Sequence, residues 1–128
     1  WSEFFITWGL KHITWNNVYH EKVKNKMDQH AHLVYKITSS FPSHEIYGLT
    51  SQLRRSALSV VLNYIEGYAI NYNKIYKNFL KISYGSLKES QYLIHFSLIE
   101  RLINQQKYNE IIKLADKIGA MFWPIMKR

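Results

Sequence analysis

Four stretches of this chain carry apolar residues at spacings of three and four, and only short breaks separate them. Such spacing places the apolar side chains on one face of a helix, so each stretch predicts an amphipathic helix. The 128 residues include 5 Gly and 2 Pro, too few for the many tight turns of a β-sandwich or barrel. Because short connections favour antiparallel neighbours, the sequence predicts an all-α protein, an antiparallel up-down four-helix bundle.

The predicted bundle follows an N-terminal segment of different character. Trp1, Trp8 and Trp15 follow neither helical nor strand alternation, so we predict that residues 1–18 form an N-terminal extension and residues 19–128 the bundle domain. The four helices are predicted to run from about Tyr19 to Thr38, from His44 to Tyr68 with an early break at Gly48, from after Asn73 to about Ile103, and from after Gln106 to near the C-terminus.

The second predicted helix is apolar nearly all round. One stripe contains Ile46, Leu49, Leu53, Ala57, Val60 and Tyr64, and a second set widens it with Leu58, Val61, Leu62 and Ile65. A helix of this kind is packed by neighbours on several sides. Because a chain this short offers few such neighbours of its own, we expect a homo-oligomer.

The third predicted helix mixes large apolar and small polar residues on its buried side. The apolar members are Ile75, Phe79, Ile82, Leu87, Leu93 and Ile94, and the small ones are Ser83, Ser86, Ser90 and Ser97. Small residues allow close approach of another helix, and each hydroxyl can bond the carbonyl four residues earlier.

The formal net charge of +8 favours polyanionic partners such as RNA, DNA or anionic lipid. Four lysines of the third helix fall within an arc of about 60° opposite its apolar face. They are Lys74, Lys77, Lys81 and Lys88. Such a row can follow a phosphate backbone, but many soluble helices have a solvated face rich in lysine. The row alone favours neither interpretation, and the net charge of the protein favours polyanion binding. Nearby aromatic residues either stack on bases or pack inside the bundle: Tyr72, Tyr76 and Tyr84.

Two adjacent arginines, Arg54 and Arg55, interrupt the apolar second helix. A guanidinium fork suits phosphate and carboxylate equally, so the residue type does not choose between them. We expect one arginine to face solvent or a groove. The other is expected to pair with Glu66 or with an acid of a neighbouring subunit.

The sequence lacks the motifs typical of catalytic or cofactor-binding sites. The absence of Cys excludes disulfides, a thiol nucleophile and Cys-ligated metals. No His pair has i,i+4 spacing, no Glu-x-x-His occurs, and there is no Gly-rich phosphate loop. Glu66 near Asn63 is the one acid expected to be buried, as a structural partner. We therefore expect no enzyme, cofactor, metal or small-molecule substrate.

No apolar stretch is long enough to cross a membrane, so we expect no membrane partner and a cytoplasmic location.

The second helix also carries a recognisable pattern. It comprises Phe41-Pro42, the run from Tyr47 to Ala57, Ser59, Asn63 and Glu66-Gly67-Tyr68. The third helix adds Phe79-Leu80, Ile82, Gly85-Ser86-Leu87 and Glu89. Over residues 19–128 the chain resembles the bacterial four-helix-bundle family named after 23S rRNA intervening sequences. That family includes the accessory variability determinant of diversity-generating retroelements.

The resemblance implies a non-enzymatic bundle that assembles into a barrel-like, ring-shaped homopentamer. In the retroelement branch it also implies binding to nucleic acid and to a reverse transcriptase. The positions expected to be structural are Asn63, Glu66, Gly67, Gly85 and Ser86.

Two functional hypotheses follow. The first is an oligomer that binds RNA or DNA through Arg54, Arg55, Lys74, Lys77, Lys81 and Lys88. The second is a protein-interaction scaffold whose basic surface docks an acidic partner without contacting nucleic acid.

Overall fold

The computed structural model describes the backbone of residues 15–70 and 73–126, and the side chains of residues 18–70 and 75–126. Its helices are α1 (Trp15–Thr38), α2 (Leu49–Ile70), α3 (Asn73–Ile99) and α4 (Gln105–Met126), with a 3₁₀ turn (Ser43–Glu45) before α2. No strand occurs within these ranges. α1 packs on α2 and α4, and α3 packs on the same two helices, so the predicted all-α four-helix bundle is confirmed.

The first helix begins at Trp15, earlier than the predicted Tyr19. Helical structure therefore extends into the predicted N-terminal extension, whose residues 1–14 lie outside the described part of the chain. The second helix begins only at Leu49, because a 3₁₀ turn occupies the segment after Pro42. The Glu45 carboxylate accepts the Leu49 N–H at 3.2 Å, which satisfies one of the free donors at this helix start.

The α3–α4 connection is closed by hydrogen bonds that end one helix and start the next. Arg101 adopts a left-handed conformation (φ 60°), so α3 stops at Ile99 instead of the predicted Ile103. The Leu102 N–H donates to the Ser97 carbonyl at 2.8 Å, as in a Schellman cap. Asn104 then caps α4, because its Oδ1 accepts the Lys107 N–H at 2.8 Å.

Two clusters of buried apolar residues fill the bundle. The first contains Tyr64, Leu80, Leu87 and Phe122, and the second contains Leu53, Ile94 and Ile111. None of the helices in the described part of the chain is long and apolar enough to span a bilayer.

Several residues predicted to be buried are instead exposed. Ile75 and Ile82 of α3 are 52% and 51% exposed, and Ile46 in the α1–α2 connection is 48% exposed. The buried side of α3 is centred on the line through Ser83, Leu87 and Ile94, and Ile75 and Ile82 lie about 100° away from it. In α2, Leu58 and Leu62 also face outward. Several large apolar side chains of α2 and α3 are therefore exposed to solvent.

Candidate nucleic-acid interface

Three of the four predicted lysines have described side chains, and all three are exposed. We call Lys77, Lys81 and Lys88 the lysine row. The side chain of Lys74 lies outside the described residues. No member of the lysine row forms an ion pair in the described structure, whose ion pairs all involve other cations. The row is therefore a strip of uncompensated positive charge on α3.

Tyr84 lies within the lysine row, because the positions 77, 81, 84 and 88 follow at helical spacings of four, three and four. Its ring packs edge-on against Phe122 of α4, with the ring centroids 5.4 Å apart. The Lys88 ammonium lies 5.2 Å from the centroid of the Tyr84 ring. This cation–π contact holds one lysine of the row over an aromatic face. Of the other predicted tyrosines, Tyr72 lies outside the described residues and Tyr76 is half-buried.

The facing helix α4 contributes an aromatic residue that the sequence analysis did not single out. Trp123 is 66% exposed. The only sequence signal for it is that it falls outside the apolar stripe of its helix, the stripe that contains Ile118 and Phe122. The Gln91 amide donates to the Asp116 carboxylate across α3 and α4 at 2.9 Å, which shows that these two residues lie level in the two helices.

The two arginines do not join the lysine row. Arg54 turns towards α1, where its Nε donates to the Thr38 hydroxyl at 2.8 Å and its guanidinium lies 4.6 Å from the Tyr35 ring centroid. Arg55 pairs with Glu89 of α3 at 3.4 Å. The predicted pairing of an arginine with Glu66 is wrong.

Glu66 itself is exposed, so it is not the buried acid that the sequence predicted. Within the described residues no cluster of three His, Cys, Asp or Glu side chains is arranged to hold a metal ion.

The seam between α2 and α3 is polar and closely packed. The Asn63 amide donates to the Ser59 carbonyl at 2.9 Å, and the hydroxyls of Ser59 and Ser86 are hydrogen-bonded at 2.7 Å. Further along, the Ser83 hydroxyl donates to the Val60 carbonyl at 2.5 Å. Asn63 thus bonds within α2, and Ser86 bonds across the seam to α2.

The serines of α3 thus bond mainly to neighbouring helices. Only Ser97 donates to the carbonyl four residues earlier, that of Leu93, at 2.8 Å. Ser83, Ser86 and Ser90 reach partners on α1 or α2. Three of the four hydroxyls therefore bond to a neighbouring helix and not within α3, because small side chains let that helix come within hydrogen-bonding distance.

The two glycines of the predicted structural set have opposite surroundings. A Cβ added at Gly67 would lie 2.9 Å from the Phe79 Cβ and 3.4 Å from the Tyr76 carbonyl oxygen. A Cβ added at Gly85 would meet no atom within 4 Å. Gly67 is required by the close approach of α2 and α3, whereas no contact among the described residues requires Gly85.

Two histidines of α1 make contacts across the bundle. His20 Nδ1 is hydrogen-bonded to the Tyr64 hydroxyl, and burial raises the pKa of Tyr64. His30 Nε2 and the Ser90 hydroxyl are 2.9 Å apart, while His30 Nδ1 is buried without a hydrogen-bond partner. Burial lowers the pKa of His30 to about 4, so the imidazole is neutral at neutral pH.

Comparison with known proteins agrees with the family resemblance seen in the sequence. The family model "23S rRNA-intervening sequence protein" matches residues 20–123. Among solved structures, a protein of unknown function from the S23 ribosomal protein family of Bacteroides thetaiotaomicron matches with a TM-score of 0.77. At 20% identity, over 86% of this chain and 99% of that chain, this likeness concerns the fold. No curated protein matches the chain. Because the family model covers well over half of its length, the chain belongs to the 23S rRNA-intervening sequence protein family.

Proposed function

We propose that this chain is a cytoplasmic, non-enzymatic, oligomeric protein that binds RNA or DNA through the lysine row. The observation that carries the proposal is the strip of three exposed lysines, none of which pairs with a carboxylate in the described part of the chain. The row spans about 16 Å of helix axis at 1.5 Å per residue. The net charge of +8 adds a long-range attraction for a polyanion.

Salt dependence tests this proposal most directly. Each phosphate that a lysine neutralises releases counterions, so the affinity for labelled single-stranded RNA is expected to fall linearly on a log–log plot against salt. Replacing Lys77, Lys81 and Lys88 together with glutamine is expected to make that slope shallower by about 2 units. Fluorescence anisotropy titrations at several salt concentrations measure both slopes.

A matched control separates the lysine row from overall charge. Replacing Lys22, Lys36 and Lys107, which are exposed on α1 and α4, removes the same charge. We expect this second triple variant to keep nearly the full slope. Equal effects of the two triple variants would assign binding to net charge alone, and a flat slope for the unmodified protein would contradict nucleic-acid binding.

The oligomeric part of the proposal rests on the apolar patch. We define the α2–α3 patch as the exposed side chains of Leu58, Leu62, Ile75 and Ile82 together with Gly85. A glycine on an exposed helix face costs stability relative to alanine unless another element approaches it closely. The neighbouring charges Arg55 and Glu89 neutralise each other. Because the protein as a whole is strongly positive, a charge-balanced face is where a second copy meets least repulsion. The number of subunits, five by family resemblance, remains part of the proposal.

Replacing Leu62 with glutamate is expected to shift the protein to the mass of a single chain, because association would then bury an unpaired carboxylate. Light scattering coupled to size-exclusion chromatography measures the mass. Leu62 is 53% exposed and Ile99, outside the patch, is 64% exposed, so Ile99→Glu serves as the matched control and is expected to leave the assembly intact. Dissociation by both variants, or by neither, would count against this patch.

The alternative function is a protein-interaction scaffold without nucleic-acid binding, and the same apolar patch is the observation that favours it. The partner to test first is a reverse transcriptase encoded next to the gene, as the retroelement branch of the family suggests. Co-purification of such a partner with a protein that shows no RNA binding at low salt would support the scaffold.

A further inference from the structure

We infer that the lysine row binds unpaired nucleotides in preference to duplex, with Trp123 as the stacking platform for a base. This inference rests on the proposed nucleic-acid binding and specifies its ligand. It depends on the position of Trp123, which the register of α3 against α4 determines.

Three contacts set that register. Gln91 meets Asp116, a Cβ added at Gly119 would lie 3.7 Å from the Leu87 side chain, and the Tyr84 ring packs on Phe122. α3 and α4 are therefore antiparallel, so that moving along α3 towards its N-terminus corresponds to moving along α4 towards its C-terminus.

The position of Trp123 follows from the Gln91–Asp116 pair, because Trp123 lies two helical turns beyond Asp116 on α4. Tyr84 lies seven residues before Gln91, and Trp123 lies seven residues after Asp116. A seven-residue step nearly restores the same side of a helix. Trp123 therefore lies level with Tyr84, on the side of α4 that borders α3. Lys81 and Lys88 flank Tyr84 at three and four residues, which places cations on both sides of this aromatic pair.

This combination of groups suits single-stranded nucleic acid. Exposed bases stack on aromatic rings while neighbouring ammonium groups contact the phosphates, and every base offers a π-face, so stacking is sequence-tolerant. In a duplex the base faces are covered by their neighbours, so an exposed indole gains nothing from them. A row of lysines alone would hold either form, and the exposed Trp123 is what distinguishes them.

The acidic groups near this site do not cancel the positive charge. Asp116 is hydrogen-bonded to Gln91, about 10 Å along α4 from Trp123 at 1.5 Å per residue. Glu89 lies on the opposite flank of α3, where it pairs with Arg55. The α4 surface also carries the exposed Lys113 and Lys117.

Binding of a short labelled RNA, alone and annealed to its complement, tests the inference. We expect Trp123→Ala to weaken single-strand binding on the order of tenfold, consistent with the loss of one stacked base, and to leave duplex binding unchanged. Trp123→Phe is expected to retain most of the affinity. Tyr47 is 95% exposed in the α1–α2 connection, far along the chain from the row, so Tyr47→Ala is the matched control and is expected to have no effect.

The outcomes separate this inference from the proposed function. Equal single-strand affinities for the unmodified protein and Trp123→Ala would overturn stacking, and so would duplex binding as tight as single-strand binding. In either case the lysine triple variant would still report on the proposed function. Absence of binding to both forms at low salt would overturn both. Circular dichroism of Trp123→Ala shows whether its fold is intact, so that a loss of binding can be assigned to the missing ring.

Discussion

Gly67→Ala is expected to destabilise the bundle by about 1–3 kcal/mol, because the added methyl group overpacks a tight helix contact. Its Cβ would approach the Phe79 Cβ to 2.9 Å and the Tyr76 carbonyl oxygen to 3.4 Å. Neither atom is the free end of a flexible side chain, so relief requires that α2 and α3 move apart. Separation would also lengthen the Ser59–Ser86 and Ser83–Val60 hydrogen bonds of the same seam.

Gly85→Ala provides a matched control with the opposite expected sign. The same methyl group meets no atom within 4 Å there, and alanine in an exposed helix interior is favoured over glycine by about 1 kcal/mol. Both substitutions should be made in the Leu62→Glu background, so that association of subunits does not enter the free energy of unfolding. Urea denaturation followed by circular dichroism measures the two free energies. If the two substitutions destabilised the protein by similar amounts, the conclusion that helix packing requires Gly67 but not Gly85 would be wrong.

The fold could be predicted from the sequence because the information is local. The period of apolar residues in each segment specifies a helix and its buried face, and Asn104 and Pro42 mark where segments change. The exact ends were harder to predict, since α3 ends at a non-glycine residue, Arg101, in a left-handed conformation. Residues 100–103, the last four predicted for α3, contain no Gly or Pro that would have indicated the end of the helix.

The spacing of apolar residues alone does not predict which of them are buried in α3. Ser83 and Ser90 are buried as the sequence predicted, but Ile75 and Ile82, which were predicted on the same side, are about half exposed. The spacing of apolar residues in the sequence is the same whether their side chains pack within their own chain or against another chain. The serines carry the missing information, because a small hydroxyl residue allows a second helix to approach and then bonds to it.

The candidate site was predicted in part. The helical spacing predicted that the lysines share one face opposite the apolar side, and among the described residues Lys77, Lys81 and Lys88 are exposed and form no ion pair. Arg54 was grouped with it by charge alone, and its contacts with Tyr35 and Thr38 separate it from the row. Trp123 was missed because its proximity to the row depends on the register of α4 against α3. Register is a tertiary property, so a single helical pattern does not reveal it.

Acidification is expected to remove about 3 kcal/mol of stability through one buried histidine. Burial lowers the pKa of His30 to about 4 from its ordinary value of 6.5. The folded state therefore prefers the neutral imidazole, while the unfolded chain takes up a proton at the ordinary pKa. The stability contributed by the neutral form is present above pH 6.5 and is lost as the pH falls towards 4. Between pH 7 and pH 5 the free energy of unfolding is expected to fall by about 2 kcal/mol from this group.

A non-titrating residue at the same place isolates the effect. His30→Gln retains a polar side chain for the Ser90 hydroxyl and has no proton to take up, so its free energy of unfolding is expected to be nearly independent of pH over this window. His32 is exposed two residues away and pairs with Asp28. His32→Gln should therefore keep the steep pH dependence of the unmodified protein. If His30→Gln kept that dependence as well, the proton uptake would belong to another group, and the buried imidazole between the two halves of the core would be stable in either charge state.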